Sequence, residues 1–169
     1  MADALHAAMF RLSPRRLRLA AGARGNVLEV GGGLNLPEYR GVERVVVVEA
    51  DDDLSSFEPE TFDTAVCTFA LCTARDPVGL LDTVRRLLRA DGRLLFLEHV
   101  RGGGLRSVLQ RAARPVWQRV FGGCRPDRDP VASIRDAGFL ITDLDRFTIR
   151  MAAPIVSPAV QGVAKKKAA

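Results

Sequence analysis

Apolar and polar positions along this chain follow two periods. Asn26 to Val30, Arg44 to Glu49, Phe62 to Phe69 and Arg93 to Val100 are short, largely apolar runs bounded by turn residues. That is the pattern of strands buried on both faces. Between the third and fourth runs, Leu80, Leu81, Val84, Leu87 and Leu88 recur at helical spacing. Asp76-Pro77 supplies an N-cap and a proline at the first helical position, and Asp91-Gly92 is expected to stop that helix. Asp129-Pro130 repeats the start, and Gly138 closes a second short helix. Leu105 to Phe121 predicts a basic amphipathic helix bent at Pro115. Ala4 to about Leu12 predicts an N-terminal helix, with Pro14 opening another. Phe139 to Phe147 and Ala159 to Ala164 are the last expected strands. Strands alternating with helices predict an α/β fold on a mostly parallel sheet.

The first strand runs into glycine. Val27-Leu28-Glu29-Val30 stops at Gly31-Gly32-Gly33-Leu34-Asn35, and the second strand ends on Glu49. A buried strand, a glycine turn and a second strand tipped with a carboxylate are the parts of a nucleoside-binding site. Glycine lets backbone approach a ligand closely, because no Cβ intervenes. A carboxylate after the second strand can accept hydrogen bonds from both ribose hydroxyls. A dinucleotide site would need a third glycine where Leu36 stands, and a helix where Pro37 follows at once. These two residues oppose a nicotinamide oxidoreductase. A strand and glycine turn with no ligand is the plainer alternative.

The 169 residues suit one domain, with 1–24 an N-terminal helical segment, 25–100 a cofactor-binding half and 101–169 an acceptor-side half. Cys67, Cys72 and Cys124 show no metal-ligand spacing, so no metal is expected. Buried thiols and a reducing, cytoplasmic setting are the ordinary reading. The start, with Asp3 and His6 in a mixed segment, lacks the pattern of a signal peptide. No uncharged apolar run reaches the roughly 18 residues of a membrane span. The longest candidate, Met151 to Ala164, carries two prolines. The net charge of +5 is uneven, with arginines gathered in residues 11–24 and 101–128 and a lysine run at 165–167. These form either a solvated face or a surface for an acidic partner or a membrane, with helix 105–121 the candidate for peripheral contact.

The E-x-G-x-G run of Glu29, Gly31 and Gly33 resembles motif I of the class I S-adenosylmethionine (SAM) methyltransferases. Phe62 to Thr68, Leu71-Cys72, and Asp91 to Val100 resemble the segments that follow it in that family. Leu36-Pro37-Glu38-Tyr39, Glu98-His99-Val100, Pro115-Val116-Trp117, Gly123-Cys124 and Ala137-Gly138-Phe139 occur in the order found in its thiol S-methyltransferase branch and bacterial relatives. The resemblance implies a Rossmann-like sheet, mostly parallel with an antiparallel last strand. It implies SAM as cofactor, held by Glu29, Gly31, Gly32, Gly33, Asn35, Glu49, Asp51, Thr68 and Leu71. It also implies a small, apolar acceptor: a thiol first, a quinone-like ring carbon second.

Two departures from the family pattern stand out. The glycine turn is about two residues short. Residues 50–62 are all that separate Glu49 from Asp63, and a parallel crossover needs about a dozen residues. One edge strand and its helix are therefore expected to be missing. The second strand would become a sheet edge, either covered by Asp51 to Phe57 or open to self-association. Weakened SAM binding is the expected consequence. A methyltransferase fold without activity, serving as an interaction module, is the alternative from a different class.

A thiol acceptor must become a thiolate. His99, at the end of a strand, is either a general base or a hydrogen-bonded structural residue. Trp117, Phe121 and the basic helix either cover the acceptor or face the core. Thr68-Phe69-Ala70-Leu71 lacks the Asn/Asp-Pro-Pro-aromatic motif of enzymes that methylate base amines, so nucleic acid is not expected as acceptor.

Overall fold

The structure, a computed structural model, describes residues 14–149 and 155–167. The helix expected over Ala4 to Leu12 lies outside them. In chain order come α1 (Pro14–Ala21), β1 (Gly25–Val30), a 3-10 turn (Leu36–Glu38), β2 (Val42–Val48), β3 (Phe62–Thr68), α2 (Pro77–Leu87), β4 (Leu88–His99), α3 (Leu105–Val120), α4 (Pro130–Asp136), β5 (Phe139–Thr148) and β6 (Pro158–Lys166). The six strands form one sheet in the order β2-β1-β3-β4-β6-β5. β1 lies parallel to β2 and β3, and β3 parallel to β4. Only β6 is antiparallel, to both β4 and β5. This is the Rossmann-like methyltransferase sheet expected from the sequence, with its antiparallel last strand and without one edge strand.

Alternation along the strands divides the core. Leu28 and Val30, Ala65 and Cys67, and Leu94 and Phe96 face a cluster completed by Leu80, Leu81, Val84 and Leu87 of α2 and Ile134 of α4. Val27, Val66, Leu95 and Leu97 face the opposite cluster with Leu19 and Ala20 of α1. The α2 cap forms as the Asp76-Pro77 pair predicts, with Asp76 Oδ1 accepting from Gly79 N at 3.0 Å. Its C-terminus differs. The helix ends at Leu87, four residues before Asp91-Gly92 begins. Leu88 already pairs with Phe62 in the sheet, and the register then jumps to Thr64 opposite Arg93. Sheet pairing of Leu88 ends the helix, and Asp91-Gly92 falls within the irregular start of β4.

The shortened crossover contains no helix. Leu54 is buried and Phe57 packs on Phe62 with ring centroids 5.8 Å apart. Arg86 of α2 donates to Phe57 O at 2.9 Å and to Leu54 O at 3.2 Å. The segment is thus fastened to α2 rather than laid along β2. Among the described residues β2 pairs with β1 alone, and Val47 is 38% exposed.

Candidate functional site

The glycine turn is pinned from below. Glu29 is fully buried and accepts from Asn35 N at 2.8 Å and Asn35 Nδ2 at 3.0 Å. Asn35 Nδ2 also donates to Thr68 Oγ1 at 2.9 Å. One amide side chain therefore ties β1, the turn and the end of β3 together. Gly31 N donates to Val48 O at 3.0 Å, joining the turn to β2. Burial raises the Glu29 carboxyl above its ordinary value, although hydrogen bonds from Asn35 and Tyr39 and the charge of Arg16 pull it back.

Gly31 has a structural reason to be glycine. Its φ is +116°, and a Cβ there would stand 2.7 Å from Thr68 O. Beyond the loop the chain needs no helix. Pro37 sits in the 3-10 turn, which presents Glu38 to the buried Arg16 of α1 at 3.1 Å. Arg16 was legible only as one member of a basic cluster. Its Nε and Nη1 find no hydrogen-bond partner among the described residues.

A cavity of about 180 Å³ opens at the carboxyl ends of β1 and β3. Gly31, Leu34, Glu49, Thr68, Phe69 and Phe121 line it, together with Cys72 and Cys124. Phe69 holds φ at +54°, a left-handed conformation costly for a bulky residue. Its backbone N–H is bonded to Leu97 O at 2.9 Å, and its ring lies 4.5 Å from that of His99. Phe121 stacks on Trp117 at 4.0 Å.

Behind this cavity three residues distant in sequence converge. Cys72 Sγ and Cys124 Sγ lie 3.6 Å apart, and they stand 3.6 and 3.5 Å from His99 Nδ1. All three are fully or nearly fully buried. The thiols share their interaction unequally. The Cys72 contact and then His99 lower Cys124 against the opposing effect of burial, while Cys72 is pushed above the ordinary thiol value by the same contact and by burial. Glu98 supports the group from beneath, accepting from Leu71 N at 2.9 Å and Cys72 N at 3.1 Å. Burial pushes its carboxyl up to about 8 despite those bonds.

The sequence-derived candidates therefore divide. Gly31, Glu49 and Thr68 meet at the cavity wall. Glu29 and Asn35 form the buried support beneath, and the Glu49 carboxylate lies 3.3 Å from where a Gly32 Cβ would be. Gly33 packs instead against Leu36 and Val47. Asp51 faces a second cleft of about 480 Å³, where its carboxylate bonds Arg75 N at 2.8 Å. Leu71 is buried and serves through its backbone N–H. His99 belongs to the thiol cluster. Sequence reasoning missed Phe69 as a strained wall residue and missed the cluster itself, whose members lie 27 and 25 residues apart.

A methyltransferase-domain family matches residues 28–96, the stretch from the glycine loop's strand into β4. The chain has the Rossmann-like methyltransferase fold, and residues 28–96 match that domain. Thiol S-methyltransferase TMT1B of Homo sapiens is 30% identical over 122 residues, 71% of this chain and 50% of the relative. The chain thus spans about half the length of the curated relatives it matches. Among solved structures, the methyltransferase bound to the Haloferax volcanii Trm112 activator superposes with a TM-score of 0.69 at 14% identity, covering 99% of this chain and 94% of that one. A Thermotoga maritima SAM-dependent methyltransferase, described as a possible histamine N-methyltransferase, gives 0.63 at 20% identity, covering 96% and 92%.

Proposed function

We propose that the chain transfers a methyl group from SAM to a small, apolar acceptor, a thiol first and a quinone-like ring carbon second. The observation that carries this is the Glu29–Asn35–Thr68 network beneath a glycine turn that opens on the Glu49 carboxylate. The residues fit the cofactor. Gly31, at φ +116° and packed on Thr68 O, lets the turn follow a course that a side-chain-bearing residue would disturb. The Glu49 carboxylate lines the cavity and the Glu29 carboxyl lies buried beneath the turn, for a ligand that carries an ammonium, a sulfonium and two ribose hydroxyls. When bound, SAM supplies a methyl group already activated on a cationic sulfur. Glu49 would accept from the ribose hydroxyls, and Glu29, from beneath the turn, would favour the ammonium end. Phe69 and Phe121 exclude water, and positioning does most of the work. Residues 25–100 are the cofactor half and 101–169 the acceptor half. His99 acts on the acceptor through Cys72 and Cys124, which line the cavity while it does not.

Label from radioactive SAM should pass to a small alkyl thiol and not to RNA or DNA. Label on nucleic acid, with none on small molecules, would overturn this reading. A second reading, a fold without activity used as an interaction module, is favoured by the cavity of about 180 Å³. Ligand pockets usually run from about 300 to 1,000 Å³.

Two surfaces bear on partners. In α3 only Gln110 is buried, tethered to Gly102 N and Ile155 O at 2.7 Å each. Leu105, Val108, Leu109, Val116 and Val120 are exposed as one stripe, flanked by exposed Arg106, Arg111 and Arg119. An apolar stripe bordered by cations suits an anionic membrane surface. The protein should sediment with anionic vesicles at low salt, and the pair Leu109→Asp with Val116→Asp should lower that binding at least tenfold. A wild type that stays in the supernatant contradicts it. The bare β2 edge suits pairing with a second copy. Light scattering should show concentration-dependent association that Val47→Lys removes, and a monomeric wild type at high concentration refutes it.

A further inference from the structure

We infer that Cys72, His99 and Cys124 form a zinc site whose fourth position opens on the cavity and takes the sulfur of the acceptor thiol. This rests on the thiol reading above, but the metal site stands on geometry of its own. Tetrahedral zinc with sulfur at about 2.3 Å and nitrogen at about 2.0–2.1 Å separates two sulfurs by about 3.8 Å, and a sulfur from a nitrogen by about 3.6 Å. The three edges here are 3.6, 3.6 and 3.5 Å. The ligand atoms already stand where an ion would hold them, and all lie within 4.8 Å of one another.

The arrangement is held by the fold. Cys72 is fixed by the Glu98 carboxylate at its N–H and by Arg125 N at its carbonyl, 2.8 Å away. Cys124 N donates to Phe121 O at 3.1 Å. His99 ends β4, against the Phe69 ring. Three ligands thus come from three separate segments, braced by neighbours of the kind that orient ligands in metal centres. Charge fits as well. Two thiolates and one imidazole neutralise a divalent ion, so the buried cluster carries no net charge. Soft sulfur with imidazole selects zinc over magnesium or calcium. Three protein ligands leave one position for a substrate, the pattern of catalytic rather than structural zinc.

Both cysteines line the same cavity as Gly31, Glu49 and Thr68. An acceptor thiol entering there would bind the ion as thiolate, giving up its proton to solvent. The sulfur then forms its bond to the methyl carbon. The bond from that carbon to the cofactor's sulfonium breaks, its electron pair staying on the departing S-adenosylhomocysteine. The thioether product, a poorer ligand than the thiolate, leaves the ion.

The test uses the full chain, purified under reducing conditions, with SAM affinity measured alongside by calorimetry. Mass spectrometry should find one zinc per chain. The cobalt(II)-exchanged protein should show thiolate-to-metal charge-transfer absorption and the visible bands of tetrahedral cobalt. Cys124→Ser and His99→Gln should weaken cobalt binding at least tenfold, and Cys67→Ser should leave the spectrum unchanged. Adding a small alkyl thiol should shift the charge-transfer band. Absence of zinc and of cobalt bands in a wild type that binds SAM overturns the metal site and leaves the methyltransferase reading intact. Cobalt bands in a protein that fails to bind SAM support the metal site while sinking that reading. Bands that ignore added thiol overturn the acceptor role. A Cys72–Cys124 disulfide that persists in the reduced preparation overturns the proposal entirely.

Discussion

Replacing Gly31 by alanine is expected to abolish measurable SAM binding and to destabilise the fold by about 2–3 kcal/mol, the scale of a strained backbone conformation. Two effects add. A φ of +116° is one that side-chain-bearing residues rarely adopt, and the new methyl group would stand 2.7 Å from Thr68 O. That oxygen is backbone at the end of β3 and cannot swing aside as a flexible side chain can. Relief would require the turn to part from β3, breaking the Asn35–Thr68 bond and the Gly31–Val48 bond together. Gly103→Ala is the control, since its added Cβ would meet nothing within 4 Å. Denaturant midpoints and SAM titrations of the two variants check the prediction. A Gly31→Ala protein as stable as wild type, binding SAM as well, would show that the turn does not lie against the cofactor.

Glu29 separates stability from affinity. Alanine there should cost on the order of 2–4 kcal/mol, because two buried Asn35 donors lose their acceptor and a cavity remains. Glutamine keeps the volume and one carbonyl oxygen in place of Oε1, so it should cost less than about 1 kcal/mol. Yet it removes the negative charge offered to the ammonium, and SAM affinity should fall about ten- to a hundredfold, as for a lost hydrogen bond to a charged group. The pH dependence follows. Because burial raises this carboxyl in the free protein, its stabilising share is present below the unfolded value and is lost as pH rises through the folded one. A bound cation favours the ionised form, so SAM binding should release a proton, and affinity should climb with pH across that window. Calorimetry in buffers of different ionisation enthalpy reads the proton directly. Wild type and Glu29→Gln with the same proton count would contradict the role given to this residue.

What the sequence made legible was local. The strands are unambiguous because Val27 to Val30, Phe62 to Thr68 and Leu94 to Leu97 are short, largely apolar runs bounded by turn residues. The Asp-Pro caps of α2 and α4 announce themselves in two residues each. The missing edge strand could be read from chain length alone, since residues 50–62 suffice for one return across the sheet. The helix end at Leu87 was not legible, because sheet pairing of Leu88 overrode the Asp91-Gly92 stop. In the site, Glu29, Gly31 and Asn35 fall within one short motif and were recognisable together. Cys72, His99 and Cys124 carry no spacing signal, because each arrives on a different segment and only the fold sets their separation. Phe69 was hidden for another reason: its left-handed backbone is imposed by the turn between β3 and the Leu71–Cys72 segment.

The central claim is that the shortened cofactor half still holds SAM. Isothermal calorimetry of wild type and Glu49→Ala with SAM and with S-adenosylhomocysteine tests it most directly. One site per chain is expected for both ligands. Affinity should fall about ten- to a hundredfold in the variant, the effect of removing a charged acceptor. No binding heat from folded wild-type protein, or equal affinity in wild type and variant, would contradict it.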